Sequence, residues 1–217
     1  GDPGYGGDSS FVSHQLTDVC QLQSSLGAFA AVRSDGSVVT WGKECYGGDS
    51  RAVREQLKDV RTVQASEAAF AAILADGSVV TWGNARSGGN SDLVKAGLVR
   101  VQEICASIGA FAALLADRTV VTWGDALFGG DSSGAQERLR DVRQLHASGH
   151  AFAAILGDRT VVTWGNAAYG GDSGAVWGML QDVAGPRLGD KERLSGGGNG
   201  KPTWGRIQGF RGLGAEC

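Results

Sequence analysis

The sequence predicts an all-β protein, a β-propeller-like array of small sheets repeated at one fixed step. Two observations carry this reading. Val-Val-Thr-Trp-Gly occurs four times, with Trp41, Trp82, Trp123 and Trp164 each 41 residues after the last. The other landmarks keep the same step. Ala-Phe-Ala-Ala places Phe29, Phe70, Phe111 and Phe152, and a Gly-Gly pair precedes Asp8, Asp49, Asn90, Asp131 and Asp172. A Leu-x-x-Val pair runs from Leu16–Val19 through Leu57–Val60, Leu98–Val101 and Leu139–Val142 to Leu180–Val183. Repetition at a fixed period of this length marks stacked-repeat architectures.

Four complete units follow, 1–42, 43–83, 84–124 and 125–165, with a partial fifth at 166–183. Together they form one repeat domain, 1–183. The stretch 184–217 is Gly-rich and aperiodic, and it is expected to be mostly irregular. It holds Thr203-Trp204-Gly205, one residue short of the next expected position.

Within unit two, Val60–Ala65 and Ala69–Leu74 are two apolar-rich runs. Asp76-Gly77 and then Val79–Trp82 follow. β-Prone runs around Asp-Gly read as a hairpin. Units three and four carry Asp117-Arg118 and Asp158-Arg159 there, so their turns are expected to be more strained. Phe70, Ala72 and Leu74 point one way, Ala71 and Ile73 the other. Both faces are apolar, so both need a cover. A radial stack supplies two, because each blade lies between neighbours. The alanines suggest blades converging on an axis where bulky side chains do not fit. Arg51–Leu57 lacks β-branched alternation, and Asp49 or Ser50 suits a helix N-cap, so a short helical turn is expected. One unit is then about three strands plus a helical connection, too small to stand alone.

Composition narrows the function. Gly is abundant, 36 residues, and Pro scarce, 3, which suits many tight turns. The net charge of −3, with no Lys/Arg run, argues against nucleic-acid binding, which needs a basic stripe. No apolar run has the length of a membrane span. Cys20, Cys45, Cys105 and Cys217 show neither metal nor disulfide spacing. A reducing compartment, cytoplasm or nucleus, is therefore favoured, with secretion left open.

Unit two, read as Val-x-Ala-Ser, Ala-Phe-Ala-Ala-Ile-Leu-x-Asp-Gly-Ser-Val-Val-Thr-Trp-Gly and a loop ending in Gly-Gly, resembles the repeat of the regulator of chromosome condensation family. Similar repeats occur in HECT-type ubiquitin ligases, the plant UV-B photoreceptor and the propeller-type β-lactamase inhibitory protein. The resemblance covers roughly residues 1–183. It implies a propeller and a binding role rather than catalysis. This chain departs from the family in three ways. Its step of 41 is shorter than the family's usual ~50 and closer to the bacterial inhibitor's compact blades. The family usually has seven blades, so these units are a fragment, a small ring or an open arc. The family's His before the hairpin strand is replaced by Ala28, Ala69, Ala110 and Ala151. The photoreceptor's sensing tryptophans also have no counterpart in Ser66–Phe70.

Chemical motifs dissolve into the repeat. Gly171-Asp172-Ser173-Gly174 imitates a serine-protease loop, but every unit carries its equivalent, and catalysis needs one nucleophile with a positioned base. One carboxylate per unit does not supply a calcium shell. No Gly-Lys-Ser/Thr follows the Gly pairs, so nucleotide binding is not indicated. His146 and His150 lie on or beside a strand, where four residues span ~13 Å and two rings do not share a metal. No cofactor, metal or catalytic residue is expected, and the repeated Trp and Phe are assigned to blade packing.

The loop after each Trp-Gly varies most, and these loops should share one rim. Lys43, Glu44, Tyr46, Arg86, Asp125, Phe128 and Tyr169 are the candidate contacts for a protein partner. Tyr5, Tyr46, Phe128 and Tyr169 recur at one position, either as exposed anchors or tucked between blades. The charged residues Arg51, Arg54, Glu55, Lys95, Glu137 and Arg138 are a second candidate surface. The expected function is a protein–protein interaction scaffold, by resemblance the recognition region of a larger protein such as a ubiquitin ligase. The alternatives are guanine-nucleotide exchange on a small GTPase and a secreted enzyme inhibitor.

Overall fold

A computed structural model describes residues 1–172. The aperiodic stretch 184–217 and the end of the fifth unit lie outside the described residues.

Four antiparallel three-stranded sheets follow one another along the chain. The first holds β1 (Val19–Ser24), β2 (Ala28–Arg33) and β3 (Val38–Gly42). The second holds β4 (Val60–Ala65), β5 (Ala69–Leu74) and β6 (Val79–Gly83). The third holds β7 (Val101–Ala106), β8 (Ala110–Leu115) and β9 (Val120–Gly124), and the fourth β10 (Val142–Ala147), β11 (Ala151–Leu156) and β12 (Val161–Gly165). In every sheet the phenylalanine of the middle strand pairs directly with the tryptophan of the last, as Phe70 does with Trp82. These rings stack with centroids 5.2–5.4 Å apart. Val-Val-Thr-Trp suits this place because branched and aromatic side chains pack well on a pleated surface.

Each sheet has two unlike faces. The leading face of the second sheet carries Leu57, Val60, Val63, Phe70, Ala72, Val80 and Trp82, and it packs on Ala28, Ala30 and Val32 of the sheet before it. The trailing face carries Ala69, Ala71, Ile73 and Val79, and it receives Phe111 and Trp123 of the next sheet. The third junction repeats the arrangement. The two-sided burial expected for this strand is therefore met by blades covering blades. The alanines lie on the middle strands, which meet the first strand of the next blade, β2 against β4, β5 against β7 and β8 against β10. Small side chains on each trailing face make room for the Phe–Trp stack of the next blade.

Polar bonds lock the same junctions. Backbone amides step from blade to blade, with Leu26 N donating to Glu67 O at 2.8 Å, Glu67 N to Ile108 O at 2.9 Å and Ile108 N to Gly149 O at 2.9 Å. The Gln21 amide both donates to Val63 O at 2.8 Å and accepts from Val63 N at 3.0 Å. The Cys105 thiol donates to Leu145 O at 3.4 Å. Burial first, and the Glu103 carboxylate second, push that thiol up to about 12. It is a protonated packing group, not a nucleophile.

The Asp-Gly turns form as expected, with Gly36 at φ 76° and Gly77 at φ 81°. Asp35 and Asp76 each accept from the hydroxyl and amide of the serine two residues on, which lowers their carboxyl pKa. Arg118 and Arg159 hold the same left-handed conformation at φ 71°. A non-glycine residue there is held at a cost of about 1–2 kcal/mol, part of which glycine gives back through its looser unfolded chain. Arg118→Gly should therefore stabilise the protein by about 0.5–1 kcal/mol in urea denaturation.

Connections between blades are helical but tighter than α. A 3-10 turn lies directly after each Trp-Gly, at Glu44–Tyr46, Ala85–Ser87, Ala126–Phe128 and Ala167–Tyr169. A matching turn, Pro3–Tyr5, precedes the first sheet. Each ends on a left-handed glycine, Gly6, Gly47, Gly88, Gly129 or Gly170. A second 3-10 turn occupies Arg51–Val53 in the stretch expected to be helical. The N-cap position is Ser50, whose side chain caps no amide of the turn, and the Asp49 carboxylate before it accepts from Arg51 N at 2.9 Å. Among the described residues the array is open, with inner strands meeting in the order β1, β4, β7, β10.

Candidate functional site

The rim is built from one device repeated. The tryptophan ending each sheet donates its indole N–H to the carbonyl of the left-handed glycine in the preceding connector. These bonds run from Trp41 to Gly6, Trp82 to Gly47, Trp123 to Gly88 and Trp164 to Gly129, at 3.0–3.1 Å. A buried indole needs such a partner. Behind the turn, Thr40 and Ser50 share a hydrogen bond of 2.9 Å, Thr81 and Ser91 one of 3.1 Å, and Thr122 and Ser132 one of 2.9 Å. Ser50, Ser91 and Ser132 of the Gly-Gly-Asp/Asn-Ser loops are buried against these threonines, which is the reason that motif recurs. Among the described residues the buried Thr163 hydroxyl has no partner, and the serine that the repeat assigns to it, Ser173, lies outside them.

On this common backbone the side chains differ. Glu44, Arg86 and Tyr169 are exposed, and so is Leu127, which the sequence reading passed over. Lys43 lies half-buried over two rings, 4.9 Å from the centroid of Tyr5 and 5.4 Å from that of Tyr46, so its ammonium is engaged in cation–π contacts. Asp125 is the N-cap of its turn and accepts from Leu127 N at 2.8 Å, and Asn84 and Asn166 cap theirs in the same way. Its side chain thus shapes the connector.

The recurring aromatic position divides. Tyr46 is 4% exposed, a core residue beside Gly27, where an added Cβ would lie 2.7 Å from its ring. It packs between blades and offers no surface to a partner. Tyr169 is 60% exposed. Tyr46 clusters with Ala68 of the blade that follows it, and the residue facing the ring differs as well. Gly27 and Gly109 leave a slot for Tyr46 and Phe128, whereas blade four fills that slot with His150. The His150 ring stacks on Tyr169 at 4.3 Å and lies 5.0 Å from Phe128. Phe128, His150 and Tyr169 form an aromatic row with Leu127 beside Phe128. His150 was legible only as a departure from the Gly27, Ala68, Gly109 series. His146 is elsewhere, on β10 opposite Ala153.

Between successive connectors run two solvent-open grooves of about 710 and 870 Å³. Lys43, Asp49, Val53 and Asn84 line the first, and Arg86, Asp92, Leu93 and Asp125 the second. Such grooves suit side chains of a partner better than a sequestered small substrate. The second charged surface is dispersed, with Arg51 paired to Asp49 and Lys58 to Glu55. Among the described residues, no three of His, Cys, Asp and Glu gather in a way that could hold a metal, and no helix is long and apolar enough to cross a membrane.

No family model and no curated protein matches the sequence. Solved structures do match. The structure of Kap60 bound to yeast RCC1 (Prp20) aligns with a TM-score of 0.53 at 17% identity, over 72% of this chain and 45% of the other. Human WBSCR16 aligns with 0.51 at 18%, over 68% and 47%. Saccharomyces cerevisiae Prp20p, described with its binding to Gsp1p and histones, aligns with 0.50 at 16%, over 68% and 45%. The chain thus spans about half the length of these structures. At such identity the likeness is one of fold, and the fold is the RCC1-like array of propeller blades.

Proposed function

From an RCC1-like blade array whose connectors share one backbone and differ in side chains, we propose that this chain is a protein-binding module and that its partner binds along the connector rim. One observation carries the reading. The same 3-10 turn presents Glu44, Arg86, Leu127 and Tyr169 in succession, and the same Trp–Gly bond holds the first three of these turns. Fixed scaffolds with variable exposed loops are where binding residues concentrate. Arg and Tyr are the residue types that dominate binding energy, and an aromatic row gives rigid contact area. Of the seven residues singled out in the sequence, Glu44, Arg86, Phe128 and Tyr169 belong to this surface, with His150 and Leu127 added. Lys43, Tyr46 and Asp125 shape it from beneath. The finer reading, the recognition region of a ubiquitin ligase, rests on the sequence resemblance.

The test is site-specific photocrosslinking in the full chain. A probe at Arg86 or Leu127 is expected to capture the same partner, and a probe at Gln102 on β7 is not. Glu44→Ala, Arg86→Ala and Tyr169→Ala combined should weaken binding of that partner at least tenfold, as loss of one hot spot of more than about 1.4 kcal/mol requires. Capture at Gln102 with an unaffected triple variant refutes the rim.

Guanine-nucleotide exchange is the second reading, favoured by the fold likeness to Prp20p, described with its binding to Gsp1p. The four connectors are nearly uniform in length and carry no inserted wedge. Nucleotide release from a small GTPase, accelerated by the chain and abolished by the rim variants, would establish that activity. No acceleration leaves binding alone.

A further inference from the structure

We infer that the rim reads one extended segment of its partner in polyproline II form, with two apolar side chains three residues apart seated in two successive grooves. This rests on the connector rim being the binding surface. The two grooves repeat one another at the 41-residue step. Trp82 and Gly83 line the first where Trp123 and Gly124 line the second. Ala52 and Val53 stand in the first where Leu93 and Val94 stand in the second. Both grooves are walled on each side by blades in the middle of the array. Two copies of one groove, side by side, suit a ligand whose own side chains repeat.

The step between the grooves selects the form of that ligand. Successive connectors touch through glycines, and a Cβ added at Gly83 would lie 3.2 Å from Gly47 Cα. The grooves are therefore one blade apart, about 10 Å for sheets packed face to face. A polyproline II helix turns once in three residues and advances about 9 Å, so its residues i and i+3 face one way at that step. Same-side residues of a β-strand recur at about 7 and 13 Å and miss it. An α-helix reaches the step with residues i and i+7. The lining favours the first form, because Trp82 and Trp123 contribute to the two grooves and proline-rich segments dock in grooves lined by aromatic rings.

Charge supplies the direction. In the first groove Lys43 lies over two tyrosine rings and Asp49 is paired to Arg51, while Glu44 is exposed on the wall. In the second groove Asp125 caps its own turn, while Arg86 is exposed on the wall and Asp92 on the loop that follows. The connector turns thus offer a carboxylate at one groove and a guanidinium at the next. The segment that complements them carries a basic residue beside its first apolar anchor and an acidic residue beside its second. Opposite charges at the two grooves fix which way the segment runs.

Fluorescence polarisation on the 217-residue chain tests this with the labelled synthetic peptide Pro-Lys-Leu-Pro-Pro-Leu-Glu-Pro. It should bind with a micromolar Kd. Moving the second leucine one place nearer the first should weaken binding about tenfold, and exchanging the lysine and the glutamate about fivefold. A chain carrying Glu44→Arg and Arg86→Glu together should prefer the exchanged peptide and keep the wild-type thermal midpoint, since both side chains are exposed. Binding no stronger than that of a scrambled peptide overturns the proposal. So does tighter binding of an alanine-rich helical peptide with leucines at i and i+7, or a charge preference that the double variant leaves unchanged. In each of these cases capture of a partner by probes at Arg86 or Leu127 still establishes the rim, so the two readings fail separately.

Discussion

Trp123→Ala should lower the unfolding free energy by about 3–5 kcal/mol, the range for removing a large buried aromatic. Trp123 stacks on Phe111 at 5.3 Å, packs on the trailing face of blade two and donates to Gly88 O at 3.0 Å. The substitution opens a cavity between two blades and leaves a buried carbonyl without its donor. Trp41→Ala is the comparison. Trp41 makes the same stack and the same bond to Gly6 O but is only half-buried, with no blade packed on it among the described residues, so its loss should cost roughly half as much. Urea denaturation followed by circular dichroism reads both. Equal losses would mean that blade-on-blade packing contributes little and that the stack within a sheet is the source of stability.

The second large effect lies in the Gly-Gly pair, whose two members are required for different reasons. Gly88 sits at φ 93°, and a Cβ there would lie 2.5 Å from Cδ2 of Phe111. Gly89 has no such φ, but its Cβ would run into the backbone carbonyl of Gly83, 2.6 Å from the carbon. A phenylalanine ring has some freedom to shift, whereas a strand backbone fixed in a sheet has little. Gly89→Ala should therefore cost about 3 kcal/mol or more, at the upper end of overpacking effects. Gly134→Ala meets nothing within 4 Å and is expected to be neutral or stabilising by about 0.5 kcal/mol. A Gly89→Ala melt that matches wild type would mean that the connector relaxes freely. That would also remove the rigid rim on which partner binding depends.

These effects frame how much was legible beforehand. The strands of unit two were readable to within a residue, because Val, Thr, Ile and Trp at pleated spacing and an Asp-Gly turn are local signals. The alternation of Phe70 and Ala72 against Ala71 and Ile73 was readable for the same reason. The site was readable only in part. Sequence placed Tyr46 and Tyr169 at one repeat position and could not separate them. The facing residue, Gly27 or His150, stands 19 positions earlier in the chain and meets the ring only after folding. Lys43 over Tyr5 and Tyr46 likewise joins residues about one repeat apart. Asp125 looked like a free charge because its bond to Leu127 N depends on the turn it caps.

The sequence alone determined the number of complete blades, the three strands of each and the two glycines after every tryptophan, since strict repetition exposes whatever local geometry demands. The tertiary structure alone decided which rim side chains reach solvent and why alanine fills the middle strands. Those properties belong to contacts between blades, where a residue's neighbours come from the adjoining unit and burial is set by whether that unit is present.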